Sequence, residues 1–195
     1  MHIARLLTAL LFLLPFPAAA AEPMMKIGNQ ALQPIGHFKF CQAYPEECSV
    51  SSPYPSRVHL TEELWAELVR VNAEVNITIR STTDLDLYGQ DEVWTYPRSA
   101  GDCEDYALLK QRTLVEAGWP AGSVLITVVR QQNGEGHAVL TVLTDRGDLV
   151  LDNLMPMILV WNETSYTYVK RQWETYTGKW SEILDDRGVF TSSVR

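Results

Sequence analysis

The chain has 195 residues, an apolar share of 46% and a formal net charge of −8. That length suits one domain, or one domain with an extended arm, and that apolar share supports a packed core; collagen-like, coiled-coil and wholly disordered classes are excluded. An acidic balance without a basic cluster argues against nucleic acid or anionic lipid as a partner and suits calcium and cationic partners.

In chain order, Met1 to Arg5 carries one basic side chain of the Lys/Arg type, Leu6 to Phe16 is almost continuously apolar, and Ala18-Ala19-Ala20-Ala21 offers an A-x-A cleavage site. This pattern predicts a signal peptide over residues 1–21. The apolar run falls short of the ~20 residues that span a bilayer, and no later segment is long and apolar enough. The mature protein is therefore expected to be periplasmic or secreted, with no membrane span.

Residues 22–60 are rich in Pro, Gly and Ser and read as an irregular N-terminal arm. Export makes the three cysteines informative, because an even pair tends to close in an oxidising compartment. Cys41 and Cys48 flank a short stretch whose Pro45 favours a turn, and they are the expected disulfide. Cys103 is then a free thiol, either buried and inert or kept for chemistry.

Thr61 is a suitable N-cap for a helix reaching about Asn76, with Leu64, Trp65, Leu68, Val71 and Val75 on one face. Residues 77–100 read mostly as loop. A second helix is expected from about Asp102 to Gly118, a residue suited to the position after a helix end. Three β-branched runs follow, VLITVVR (124–130), GHAVLTVLT (136–144) and LVLDNL (149–154), and a last strand is expected within Tyr166 to Trp173. Helices first and consecutive strands after predict an α+β fold with an antiparallel sheet packed on the Cys103 helix.

The stretch GDCEDY sets Cys103 among Asp102, Glu104 and Asp105. A helix N-terminus favours negative charge and lowers a thiol's pKa, yet the dipole offsets only about half a charge. Thiolate formation there requires a nearby cation, an imidazolium or a metal. With the leader removed, the histidines are His37, His59 and His137. The first two read as surface or structural residues. A lone His137 at a strand mouth is more often structural than catalytic, but Asp152 closes the next strand where an apolar residue would suit a core. A hairpin centred on Arg146-Gly147 pairs His137 with Pro156 and Asp152 with Thr141, leaving His137 and Asp152 on one face but ~13 Å apart along the strand. A direct bond between them needs a shifted register or a bulge.

Cysteine at a helix start, then histidine opening a strand and aspartate closing the next, is the order of papain-like and transglutaminase-like catalysis. The runs LYGQDEVWTYPRSAGDCEDYALLK, GWPAGSVLITVV, GEGHAVLTVLTDRGDLVLDN and YTYVKRQ, with WAELVRVNAEVN before them, resemble the bacterial transglutaminase-like cysteine proteinases. The resemblance implies a papain/transglutaminase-like core and a cysteine peptidase domain over 61–195. It implies Cys103 as nucleophile, His137 as base, Asp152 as the group orienting the imidazolium, and the Trp94 indole N–H beside the Cys103 backbone N–H at an oxyanion site. That family includes a periplasmic protease that releases large surface adhesins and binds calcium through acids matching Asp102 and Glu104. The implied substrate is thus a periplasmic or cell-surface protein such as a surface adhesin. On chemistry alone, acids decorating a helix N-terminus account for Asp102 and Glu104 equally well. Transamidation or deamidation on the same three residues, and a silent protein-binding module, stay open as alternatives.

Overall fold

The structure, a computed structural model, describes residues 23–50 and 57–187. The expected signal peptide over 1–21 lies outside the described residues. The N-terminal segment is not an irregular arm: it contributes strand β1 (Ile27–Ala31) and helix α1 (Ile35–Ala43). The polar sequence of β1, IGNQA, hides the strand because it forms an edge of the sheet, where one face and one side stay wet. Its pairing with the last strand ties this segment into the domain.

Helix α2 (Glu62–Thr78) begins where expected, with Thr61 Oγ1 accepting the Leu64 N–H at 3.3 Å. Leu68, Val71 and Val75 are buried, whereas Trp65 is 39% exposed and leaves the expected face incomplete. The region read as loop holds two short strands, β2 (Arg80–Ser81) and β3 (Ala100–Gly101), around a five-residue helix, α3 (Asp84–Tyr88). Helix α4 (Cys103–Glu116) follows at once. The remaining strands are β4 (Val124–Arg130), β5 (Gly136–Thr144), β6 (Gly147–Leu151), β7 (Leu159–Val160), β8 (Thr167–Gln172) and β9 (Trp180–Ile183).

Seven strands form one sheet in the order β1-β9-β8-β4-β5-β6-β7, with every neighbouring pair antiparallel. Helix α4 lies across β4 and β5, and α2 backs α4. Strand alternation fills both sheet faces. Ile126, Leu140, Val142, Leu149 and Leu151 join Leu108 and Leu114 of α4 in the main core, and Val129, Val139, Val150 and Tyr168 form a second cluster with Met25 and Trp161. The fold is thus α+β with the Cys103 helix packed on an antiparallel sheet, as expected.

The hairpin register differs from the sequence expectation. The chain turns through Asp145 and Arg146, not Arg146 and Gly147: Thr144 pairs with Gly147, and Leu140 with Leu151. Thr144 Oγ1 accepts the Arg146 N–H at 3.1 Å and donates to the Gly147 carbonyl at 2.8 Å. Gly147 takes φ +129°, where a side chain is strained, and the Pro23 carbonyl lies 2.8 Å from where its Cβ would stand. The slide of two residues preserves face parity. Asp152 consequently stands two residues, ~7 Å, along the strand from His137 instead of four.

Cys41 and Cys48 form the expected disulfide, with Cα atoms 5.5 Å apart, at the end of α1. Replacing both by alanine is expected to cost about 2–3 kcal/mol, the loop-closure value for a ring this short. Urea denaturation of wild type and the double variant checks this; an unchanged midpoint contradicts it.

Candidate active site

The small parallel pair β2–β3 decides which side chains surround Cys103. Arg80 pairs with Ala100 and Ser81 with Gly101, so both strands run the same way and the residues after each emerge at the same end. Asp84 follows β2, and Asp102, Cys103 and Glu104 follow β3. Gly101 is required at this junction, since a Cβ there would lie 2.5 Å from Asp105 Oδ2. Ligand oxygens of Asp84, Asp102 and Glu104 lie within 4.8 Å of one another.

Cys103 occupies the first position of α4 and is partly exposed in a cleft of about 660 Å³. His137, Trp94, Pro34 and Ile35 line the same cleft. Strand β6 stops opposite Leu140, so the first residues of β5 have no strand partner on that side. There the Ala138 N–H donates to Cys103 Sγ at 3.4 Å, which fixes the sulfur beside the residue following His137.

His137 and Asp152 are both buried, and His137 Nε2 lies 2.8 Å from Asp152 Oδ1. An ionised carboxylate only accepts, so Nε2 carries a hydrogen and Nδ1 of the neutral ring is the free base. Asp152 also accepts the Leu154 N–H at 3.0 Å on Oδ1 and the Tyr166 hydroxyl at 2.5 Å on Oδ2. Burial raises the Asp152 carboxyl, but the bonds and charge of His137, with Tyr166 and Leu154, hold it below the ordinary carboxylate value. The two-residue slide of the hairpin is what brings this contact within reach.

The electrostatics around the thiol run the other way. Burial pushes Cys103 well above its ordinary value, and the Glu104 carboxylate, which accepts from Cys103 Sγ at 3.1 Å, pushes it further. Burial and then the Asp102 charge raise Glu104 to about 9, and burial raises Asp105 to about 7. Asp84 and Asp102 are raised too, chiefly by burial. Asp84 Oδ1 and Asp102 Oδ1 are buried without a hydrogen-bond partner among the described residues. Three converging carboxylates, two of them with a buried oxygen that lacks a hydrogen-bond partner, fit a hard divalent cation such as calcium, which takes oxygen ligands. Asp105 belongs elsewhere: its Oδ1 accepts the Thr95 N–H at 2.9 Å.

Trp94 lines the cleft, but its Nε1–H donates to Glu92 Oε2 at 3.2 Å, and the ring packs edge-on to His37 at 5.5 Å. Glu92 itself adopts φ +62°, an uncommon conformation for a non-glycine residue. His37 is structural, as expected, yet wholly buried: Trp180 Nε1 donates to its Nδ1 at 3.2 Å, and burial lowers its pKa to about 4. Its ring nitrogens stand near Cys41 and Cys48, whose sulfurs are bonded to each other. His59 is exposed and bonds Asp145 at 2.5 Å.

Sequence reasoning passed over four contributors. Asp84 begins a short helix behind Thr83, an N-cap signature that signalled the turn but not its neighbours. Tyr166 and Asn76, whose Nδ2 donates to the Asp152 carbonyl at 2.8 Å, carry no sequence signal. Lys110 lies two helical turns after Cys103 and is fully buried; burial lowers it to about 7, and Asp152 draws it back up.

A helix-borne cysteine on an antiparallel sheet, with a histidine–aspartate pair on the adjoining hairpin, is the arrangement of transglutaminase-like folds. The chain belongs to the bacterial transglutaminase-like cysteine proteinase family, whose model matches residues 27–188. Among solved structures, calcium-bound LapG of Legionella pneumophila is 28% identical with a TM-score of 0.50, covering 55% of this chain and 64% of that one. An EGTA-treated form of the same protein is 29% identical, covers 62% of its chain and has a TM-score of 0.49. The match therefore spans less than two thirds of LapG. Comparison with curated proteins gives no match.

The raised Glu104 carboxyl has a stability consequence. The folded state holds this proton more tightly than the unfolded chain, so the contribution is complete below pH 4.5 and is lost as pH rises toward about 9. In chelator, wild type is expected to lose thermal stability relative to Glu104→Gln across that window. A difference that stays flat with pH contradicts the placement.

Proposed function

We propose that this protein is an exported cysteine endopeptidase that cleaves a periplasmic or cell-surface protein, with Cys103, His137 and Asp152 as its catalytic residues. The observation that carries the reading is the 2.8 Å bond between His137 Nε2 and Asp152 Oδ1, which leaves Nδ1 as base in the cleft that holds Cys103. In this reading His137 Nδ1 takes the thiol proton as sulfur attacks the scissile carbonyl. The Cys103 backbone N–H, which has no partner within the helix at its first position, donates to the developing oxyanion. Trp94 joins it only if its indole leaves Glu92. The imidazolium then protonates the leaving amine, and the acyl-enzyme is hydrolysed by water with His137 again as base. Asp152 holds the ring and stabilises its charged form throughout.

Asp84, Asp102 and Glu104 are the residues that would hold calcium, with backbone carbonyls or water completing a site of six to eight oxygens. A bound dication supplies positive charge beside the Cys103 helix start, offsetting the acids that otherwise oppose a thiolate. That LapG is known in a calcium-bound form supports calcium as the cation. Export is supported by the expected leader and by the Cys41–Cys48 bond, which suits an oxidising compartment. No helix among the described residues is long and apolar enough to cross a membrane. A surface adhesin is the substrate type the family resemblance suggests.

In the native host, wild type is expected to generate new N-termini in exported proteins that a Cys103→Ala strain lacks; identical terminal profiles overturn the peptidase reading. Calcium binding at about pH 7 is expected to release protons, because Glu104 must ionise to bind. Titration calorimetry in buffers of different ionisation enthalpy checks this, and a heat independent of buffer contradicts it.

A further inference from the structure

We propose that Tyr166 is a positioning residue that acts on Cys103 chemistry through Asp152, an inference that rests on the peptidase reading above. The Asp152 carboxylate is held on both oxygens. Oδ1 accepts from His137 Nε2 and the Leu154 N–H, and Oδ2 accepts from the Tyr166 hydroxyl at 2.5 Å. Rotation of the carboxylate therefore breaks a bond on one side or the other, and Asp152 is too deeply buried for bulk water to replace the lost donor. The backbone is pinned as well, by Asn76 on the Asp152 carbonyl and by Arg187 Nη2 on the Tyr166 carbonyl at 2.7 Å.

The same side chain flanks the base. The Tyr166 ring centroid lies 5.5 Å from that of His137, at an interplanar angle of 50°. Tyr166 thus limits both the swing of the acid and the tilt of the imidazole, and so keeps Nδ1 as the nitrogen offered to the cleft. It enters from the segment leading into β8, apart from the helix and hairpin that carry Cys103, His137 and Asp152. Lys110 and Tyr168 are the other ionisable groups with electrostatic influence on or from Asp152, and among the described residues neither hydrogen-bonds it.

The test is the alkylation rate of Cys103 by iodoacetamide at fixed pH near 7 in excess calcium, for wild type, His137→Ala, Tyr166→Phe, Asp152→Ala and the Tyr166→Phe/Asp152→Ala double variant. Tyr166→Phe is expected to slow alkylation about tenfold, the scale of one buried acceptor left unpaired. In the Asp152→Ala background the same change is expected to alter the rate less than about twofold, because a residue acting only through Asp152 has nothing left to act on. Equal effects in both backgrounds reveal a merely structural role and overturn the proposal. A slow His137→Ala variant beside an unchanged Tyr166→Phe variant overturns the Tyr166 assignment alone. His137→Ala at the wild-type rate overturns the peptidase reading and this inference with it.

Discussion

Like charge crowded around a half-buried thiol is the constraint on which this site depends. Asp84, Asp102 and Glu104 converge within 4.8 Å, and Cys103 is the residue between the last two. Buried carboxylates repel one another and lose hydration, so in the absence of a cation they respond by holding protons, as the value of about 9 at Glu104 expresses. A protonated Glu104 brings no charge to a metal, and an ionised one opposes the thiolate. Only a compensating cation allows both the acids and the sulfur to be anionic together. The geometry that creates this demand is cheap: two short parallel strands deliver two loops to the same point.

The opposite balance holds at the histidine. Asp152 is buried as well, yet hydrogen bonds from His137, Tyr166 and Leu154 keep it ionised. One end of the site thus stabilises an anion by donors already built into the fold, and the other leaves buried oxygens of Asp84 and Asp102 without a partner among the described residues. This division separates the pair proposed to handle protons from the cluster proposed to hold a metal, with Cys103 between them.

Much of this was legible in the sequence, and the parts that were not have physical causes. Caps and periodicity located α2 and α4 because Thr61, and the glycine after α4, act through bonds only a few residues long. The strands β4, β5 and β6 declared themselves by β-branched runs buried on both faces. Strand β1 did not, because an edge strand needs little apolar content. The hairpin register was two residues off because it turns on where Gly147 takes its left-handed conformation, which tertiary contact with Pro23 helps to set. Parity survived the error, so His137 and Asp152 were placed on one face while their separation was overestimated. Asp84 and Tyr166 reach the site through long-range packing, which local pattern does not encode.

In the proposed function, a cation at the acid cluster relieves the electrostatic opposition to the Cys103 thiolate. The most direct measurement of this relief is the rate of Cys103 alkylation in the mature, non-reduced protein at neutral pH, with saturating calcium and with excess chelator. A markedly faster rate is expected with calcium, carried by Cys103 and abolished as a difference in Glu104→Gln. Equal rates in calcium and chelator would contradict it.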